Sequence, residues 1–492
     1  MRLVIVSNRL PVVMERGEEG LNLRSALGGL VTALAPVLQR VGGTWIGWPG
    51  VECTDEAELE HALGEHSLGA GYDLKAVSMS QAEVEGFYHG FCNEIVWPLF
   101  HDLQSRCNFV PEYWTTYLAV NWKYAEVVKR CIGPDDFIWV QDYHLMGLGR
   151  CLREWQVVNR VGFFLHVPFP PPDIFCKLPW RTEVLQELLH YDVVGFQTPR
   201  DLQNFLDCSR TLMPNVRRRK RRGTAWCECD GRTTAFGVFP IGIDAERFGR
   251  DAANESLTQR VQQLRRDMPD QQIVLGIDRL DYTKGIPDRL RAYHLALTRY
   301  PELHRKVSLL QVVVPSREDV PEYQELKGRI ERLVAQINGE FTQPGWVPIH
   351  YVFRPLEWPE LLAYYRTADV ALVTPLKDGM NLVAKEYCAC QVEGDGVLIL
   401  SEFAGAAVQL KGGAILVNPY DLNRVADAIH HGVNLTRQER RRAIRRLRAI
   451  VRQQDVFWWV QRFLNACGLA VQRQPLAAAS LSILSAEARV EV

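Results

Sequence analysis

Two segments of the chain carry residues that could hold a phosphate group with side chains and backbone alone. The first is Arg279-Leu-Asp-Tyr-Thr-Lys284, which follows an apolar run and precedes Gly285. An Arg and a Lys five apart in a loop can converge on one anion, the guanidinium as a bidentate fork and the ammonium as a point charge. Both stabilise a departing diphosphate without a divalent ion. The competing reading is a strand-end ion pair with Asp278 or Asp281, a common surface arrangement. The second segment is Asp378-Gly-Met-Asn-Leu-Val-Ala-Lys-Glu386. Its Gly opens a turn and its Met-Asn-Leu-Val run starts a helix, where free N–H groups bind phosphate oxygens. Asp378 and Glu386 are placed to accept bonds from sugar hydroxyls, and their plainer readings are a helix cap and a solvated helix face.

The first half of the chain offers a second set. Ser7-Asn8-Arg9 follows an apolar run, and residues 26–29 end in a Gly-Gly pair that lets backbone approach a ligand. Tyr88 and Trp97 give aromatic faces suited to sugar rings, although such residues more often pack in cores. Asp142, His144 and His166 add polar groups just after apolar runs. A histidine in that position is usually structural.

Elements that could position these residues recur along the chain. Short apolar runs at residues 3–6, 137–140, 161–165, 193–196 and 238–241 read as buried parallel strands. A second series lies at 273–277, 307–314, 349–353, 370–373, 397–400 and 414–417. Strand and helix patterns alternate twice over, which predicts an α/β fold of two Rossmann-like, doubly wound domains facing across a cleft. We place the first domain at residues 1–243, the second at 244–467 with its last helix crossing back, and a weakly ordered tail at 468–492. The join falls near residues 240–248, where the strand-like VFPIGI runs into a polar stretch at 251–259. Ligands of such sheets sit beyond the strands' carboxyl ends, where the residues above cluster.

The chain has 492 residues, 47% hydrophobic and 23% charged, with a formal net charge of −1. No global field draws nucleic acid or an anionic membrane, so anion recognition must be local. The basic run at 217–222 (RRRKRR) reads as a solvated loop. The start of the chain lacks the pattern of a secretory signal, and no apolar stretch is long enough to span a bilayer. Twelve cysteines include the pairs Cys227/Cys229 and Cys388/Cys390, whose C-x-C spacing is not a zinc signature. Reduced thiols in a cytoplasmic protein are the expectation, with no metal and no cofactor.

Ten segments together resemble the trehalose-6-phosphate synthases. They are SNRLPV (7–12), GG (28–29), WPLFH (97–101), DYHL (142–145), FFLHVPFP (163–170), PIGID (240–244), DRLDYTKGIP (278–287), VPSR (314–317), DGMNLVAKEY (378–387) and NPYD (418–421). The resemblance runs from Arg2 to about Leu464. It implies a retaining glycosyltransferase of the two-Rossmann-domain (GT-B) type, with UDP-glucose as donor, glucose 6-phosphate as acceptor and α,α-trehalose 6-phosphate as product. Carried over by motif, Arg279 and Lys284 hold the donor diphosphate and Glu386 the ribose. Backbone at Asn381, Leu382 and Val383 lies near the phosphates. Asp378, Gly379, Met380 and His166 contact the donor glucose, and Gly28 and Gly29 close over it. Arg9, Tyr88, Asp142 and Arg317 hold the acceptor, with Trp97 beside it. No nucleic acid or membrane partner is implied. A homo-oligomer stays open, and a separately encoded phosphatase is expected to act on the product.

The chain departs from the resembled pattern in two places. Gln141 stands where the family often has His. Residues 170–181 (PPPDIFCKLPWR) resemble the related glucosylglycerol-phosphate synthases, whose acceptor is glycerol 3-phosphate. Asn8-Arg9 and Ser316-Arg317 favour a sugar phosphate. A non-catalytic sugar-phosphate sensor would be expected to have lost part of the donor set, which is complete here.

Overall fold

The computed structural model describes residues 2–17, 20–25, 28–51, 56–221, 223–316 and 320–469. Among them, two large sheets carry the two halves of the chain, as the alternating patterns predict. The first has nine strands in the order Asp73–Ala76, Thr44–Trp48, Leu3–Arg9, Phe137–Gln141, Val161–Phe164, Val193–Phe196, Arg232–Val238, Thr224–Cys229, Arg217–Arg221. The strands from Asp73–Ala76 to Arg232–Val238 run parallel and the last two pair antiparallel. The second sheet is all parallel, ordered Ile349–Phe353, Val307–Val314, Gln272–Arg279, Val370–Val373, Val397–Ser401, Ile415–Val417. Helices cover both faces of such sheets, so their strands are buried throughout and apolar on both sides. Val370–Val373 and Val161–Phe164 have no exposed residue.

Two stretches of chain cross between the halves. Residues 239–244 lead out of the first sheet, and residues 453–456 lead back into the helix Val456–Ala466. They touch along their backbones. The Val456 N–H donates to the Ile243 carbonyl at 3.0 Å. A Cβ on Gly242 would lie 2.2 Å from the Asp455 carbonyl carbon, so only glycine permits this approach. The returning helix lays Trp459 and Phe463 on Trp139 of the first sheet, with ring centroids 4.8 and 4.7 Å apart. Gly162 and Gly195 make the bed for Phe463, since a Cβ on either would lie within 3 Å of its ring.

Several expectations need correction. The run at 238–241 is strand only at Val238, the last residue of Arg232–Val238, and Pro240, which has no N–H, stops the ladder. The basic run is not a loop, because Arg217–Arg221 forms the edge strand, where charged side chains discourage further pairing. The tail beyond Leu469 and Arg317 lie outside the described residues. Among the described residues no cysteine is paired and no three possible ligand residues cluster. Among the described residues no helix is long and apolar enough to cross a membrane.

Candidate active site

The strand Gln272–Arg279 delivers Arg279 at its carboxyl end. Asp281 then caps the next turn, its Oδ1 accepting from the Thr283 N–H and Oγ1, each at 2.9 Å. Gly285 takes φ of +63°, which starts the helix Ile286–Arg299 and leaves Lys284 pointing inward. Lys284 Nζ lies 2.6 Å from Asp378 Oδ2, and both side chains are nearly buried. Arg279 is half-exposed, 3.3 Å from Asp281 Oδ2, with its guanidinium 5.8 Å from the Trp97 ring centre. Arg279 therefore makes the strand-end ion pair of the plainer reading, with Asp281, whereas Lys284 pairs instead with Asp378. Burial alone would raise the Asp378 carboxyl, but the Lys284 ammonium and several hydrogen bonds outweigh it and hold it below its usual value. Burial likewise pulls Lys284 down, and Asp378 with Asp281 lift it above its usual value. The pair is ionised at neutral pH.

Asp378 also shapes its own loop. Its Oδ1 accepts from the Met380 and Asn381 N–H groups at 3.1 and 3.2 Å. Asn381, at φ +63°, is the residue that caps the helix Leu382–Cys390, accepting from Ala384 N–H at 3.1 Å. The first-turn amides at Leu382 and Val383 have no partner within their helix, which makes them an anion cradle. Glu386 is not on a solvated face: it is buried and accepts from Tyr365 Oη at 2.7 Å. Burial pushes its carboxyl up to about 7.

The first half supplies the facing wall. Arg9 ends the first strand with its guanidinium 4.3 Å from the Trp48 ring centre and 5.5 Å from that of Tyr88. Beside it, Asn8 Oδ1 is buried without a hydrogen-bond partner. Tyr88 lies on a π-helix, Val84–Val96, a form that concentrates at functional sites. Asp142 adopts φ of +70° and accepts from the His166 N–H at 3.0 Å. Burial holds its carboxyl up at about 6, against backbone hydrogen bonds that lower it.

The halves meet at the donor loop. A Cβ on Gly379 would lie 2.2 Å from the His166 carbonyl oxygen, and one on Gly29 would lie 3.1 Å from Leu382 Cδ1. The backbone of residues 166–168 is thus flush with the turn that opens the anion cradle. Lys377 also bonds Asp102 across the cleft. One composite site, with cations and free amides on one side and an Arg-aromatic wall on the other, fits a molecule with phosphates at one end and hydroxyls through its middle.

The family model for glycosyltransferase family 20 matches residues 1–468. The chain belongs to glycosyltransferase family 20. It is 43% identical over 472 residues to trehalose-6-phosphate synthase of Mycobacterium tuberculosis, covering 94% of each chain. The Mycolicibacterium smegmatis protein of the same name is also 43% identical, over 94% of this chain and 92% of its own. Among solved structures, α,α-trehalose-phosphate synthase (UDP-forming) from Burkholderia xenovorans, in complex with glucose-6-phosphate, superposes with a TM-score of 0.85. It shares 32% identity over 95% of this chain and 100% of its own. An E. coli structure bound with UDP-2-fluoro glucose gives a TM-score of 0.84 at 34% identity, covering 96% and 100%. The two-sheet architecture is the GT-B fold of these family 20 structures.

Within this family 20 site, the residue reading overlooked several groups. His101 closes the WPLFH motif, is buried, and bonds the Trp97 carbonyl through Nδ1 at 2.7 Å. Burial is the main reason its ring is held down to about 4, with Asp281, Lys284 and Asp378 near enough to act on it. Trp48, beneath Arg9, and Tyr365, on Glu386, were also missed. His166 is present, but Gln141 and Gln197 occupy both its ring nitrogens, so its contact with the donor loop is made by backbone.

Proposed function

We propose that the chain transfers glucose, with retention, from UDP-glucose to glucose 6-phosphate, giving α,α-trehalose 6-phosphate and UDP. The observation that carries this reading is the Lys284–Asp378 pair beside Arg279 at the start of the helix Leu382–Cys390. It joins two cations and free amides, suited to a diphosphate, to a carboxylate suited to the adjoining sugar.

In this reading residues 244–467 hold the donor. Arg279 and Lys284 take the diphosphate, with the Asn381, Leu382 and Val383 backbone. Glu386 takes the ribose. Asp378, Gly379 and Met380 take the glucose, with His166 contributing through its backbone. Gly28 and Gly29 lie over the donor from the other half. Residues 1–243 hold the acceptor through Arg9, Tyr88 and Asp142, flanked by Trp97, and Arg317 joins them from the second half. The acceptor hydroxyl attacks C1 on the face the diphosphate leaves, so the new C1–O bond forms as the C1–O bond to phosphate breaks. The hydroxyl proton passes to the departing phosphate oxygen. Catalysis then rests on positioning and on the two cations, each placed where charge develops. The reaction is assigned to the cytoplasm, with a separate phosphatase acting on the product. Turnover of UDP-glucose with a panel of phosphorylated acceptors tests it.

A further inference from the structure

A buried chain of hydrogen bonds runs from the first sheet into the crossing segment, and its direction is fixed at one end. The Ile241 N–H can only donate, and it bonds Gln197 Oε1 at 2.9 Å. That orients the Gln197 carboxamide, so its Nε2 is the group 3.2 Å from His166 Nδ1. An amide nitrogen donates, so Nδ1 must accept and carries no proton. The proton of the neutral ring then sits on Nε2, which donates to Gln141 Oε1 at 2.9 Å. All three side chains are at most 3% exposed. A second proton on the ring would set Nδ1–H against the Gln197 N–H₂ group. Turning that amide to relieve the clash would strip the Ile241 N–H of its acceptor and leave a buried donor unpaired.

The same peptide is held from the other side. Lys385, buried on the donor helix Leu382–Cys390, bonds the Ile241 carbonyl and, at 2.6 Å, Gln409 Oε1. Gln409 in turn donates to Gln454 on the returning crossing. Ile241 is therefore clamped between Gln197, which bonds His166, and the helix that carries Glu386.

We propose that Gln197 is a positioning residue for the transfer reaction, holding His166 as the neutral Nε2–H tautomer so that the 166–168 backbone stays against Gly379. His166 is neither acid nor base in this scheme; its imidazole is a strut and its carbonyl defines the wall of the donor loop. Burial agrees with this, holding the ring down to about 3. The kinetic consequence rests on the proposed glucosyl transfer, whereas the tautomer does not.

Two experiments test it. Imidazole ¹H–¹⁵N correlation spectra of the histidine-labelled protein, with the His166 signals identified by their loss in His166→Asn, read the tautomer directly. A protonated Nε2 and a bare Nδ1, unchanged from pH 5.5 to 8.5, are expected. A proton on Nδ1, or a titration within that range, overturns the proposal whether or not the protein is a glucosyltransferase. Gln197→Glu keeps the side-chain shape and the Ile241 bond but places an acceptor opposite Nδ1. The ring should then hold a second proton near neutral pH. The kcat should fall about tenfold or more and gain an ionisation absent from the wild type, with KM for UDP-glucose changing less. Wild-type kcat and pH profile in this variant would contradict the positioning role. Should the variant not fold, the wild-type spectra decide alone.

Discussion

Lys284 Nζ and Asp378 Oδ2 lie 2.6 Å apart with side chains 12% and 10% exposed, so neither residue can be removed without leaving the other poorly solvated. The chemical role assigned to Lys284 is therefore inseparable from a structural one. Lys284→Ala should lower turnover by ~10²–10³ and also destabilise the fold by about 3 kcal/mol, since it strands a buried carboxylate. Arg279, half-exposed beside Asp281, should show a similar loss of turnover at a cost of about 1 kcal/mol or less. Thermal melts beside steady-state rates separate the two. Near-normal turnover in both variants would leave these two cations with their structural ion pairs alone.

Gly379 makes a second prediction from geometry alone. A Cβ there would meet the His166 carbonyl oxygen at 2.2 Å and the Val167 carbonyl carbon at 2.8 Å. Neither is the end of a flexible side chain, so Gly379→Ala must push the donor loop away from the facing wall. We expect kcat/KM for UDP-glucose to fall by about 10²-fold, since small misplacements of reacting groups are costly. The far-UV spectrum should stay native. Wild-type kinetics in this variant would show that the contact is not needed.

Glu386 predicts a pH effect. Its folded carboxyl is raised to about 7 by burial, so between its unfolded value and pH 7 the folded state binds more protons than the unfolded state. Stability contributed by this group therefore declines as pH rises through that window. Glu386→Gln removes the decline. Without nucleotide, its stability advantage over wild type should grow by on the order of 3 kcal/mol from pH 4.5 to 8 and then level off. The same variant should bind UDP more weakly. Melting curves across this range check it, and a pH-independent offset would contradict it.

Much of this site was legible because buried parallel strands write themselves as apolar runs. The runs at 307–314, 349–353 and 370–373 match the observed strands residue for residue. Edge elements were not legible in this way. Asp73–Ala76 alternates polar and apolar residues over four positions, and Arg217–Arg221 is a strand made of cations, because edges are selected against pairing. Partnerships were hidden too. Nothing local marks that Lys284 meets a carboxylate 94 positions away, or that Gly162 is glycine because Phe463 of a returning helix lies on it.

The cations at the cleft also make a prediction about metal. In the proposed reaction Arg279 and Lys284 supply the positive charge that a divalent ion would otherwise bring to the diphosphate, so activity should persist in excess EDTA. Complete loss on chelation, restored by magnesium, would contradict this part of the account.

The acceptor is where the account is most exposed. Arg9, whose guanidinium lies close to the Trp48 and Tyr88 rings, is assigned to the acceptor phosphate. A charge-assisted bond of about 1.5–3 kcal/mol implies that Arg9→Ala raises KM for glucose 6-phosphate about 10–100-fold. The KM for UDP-glucose should change little. Arg9→Lys should restore only part of the loss.

The most direct measurement is UDP release from UDP-glucose with glucose 6-phosphate, fructose 6-phosphate, glycerol 3-phosphate and unphosphorylated glucose compared at equal concentration, with the product anomer read by NMR. The account predicts that glucose 6-phosphate is used with the highest kcat/KM and yields the α,α-linked disaccharide phosphate. A preference for glycerol 3-phosphate or for free glucose would contradict the acceptor assignment, and absence of turnover with every acceptor would contradict the enzyme itself.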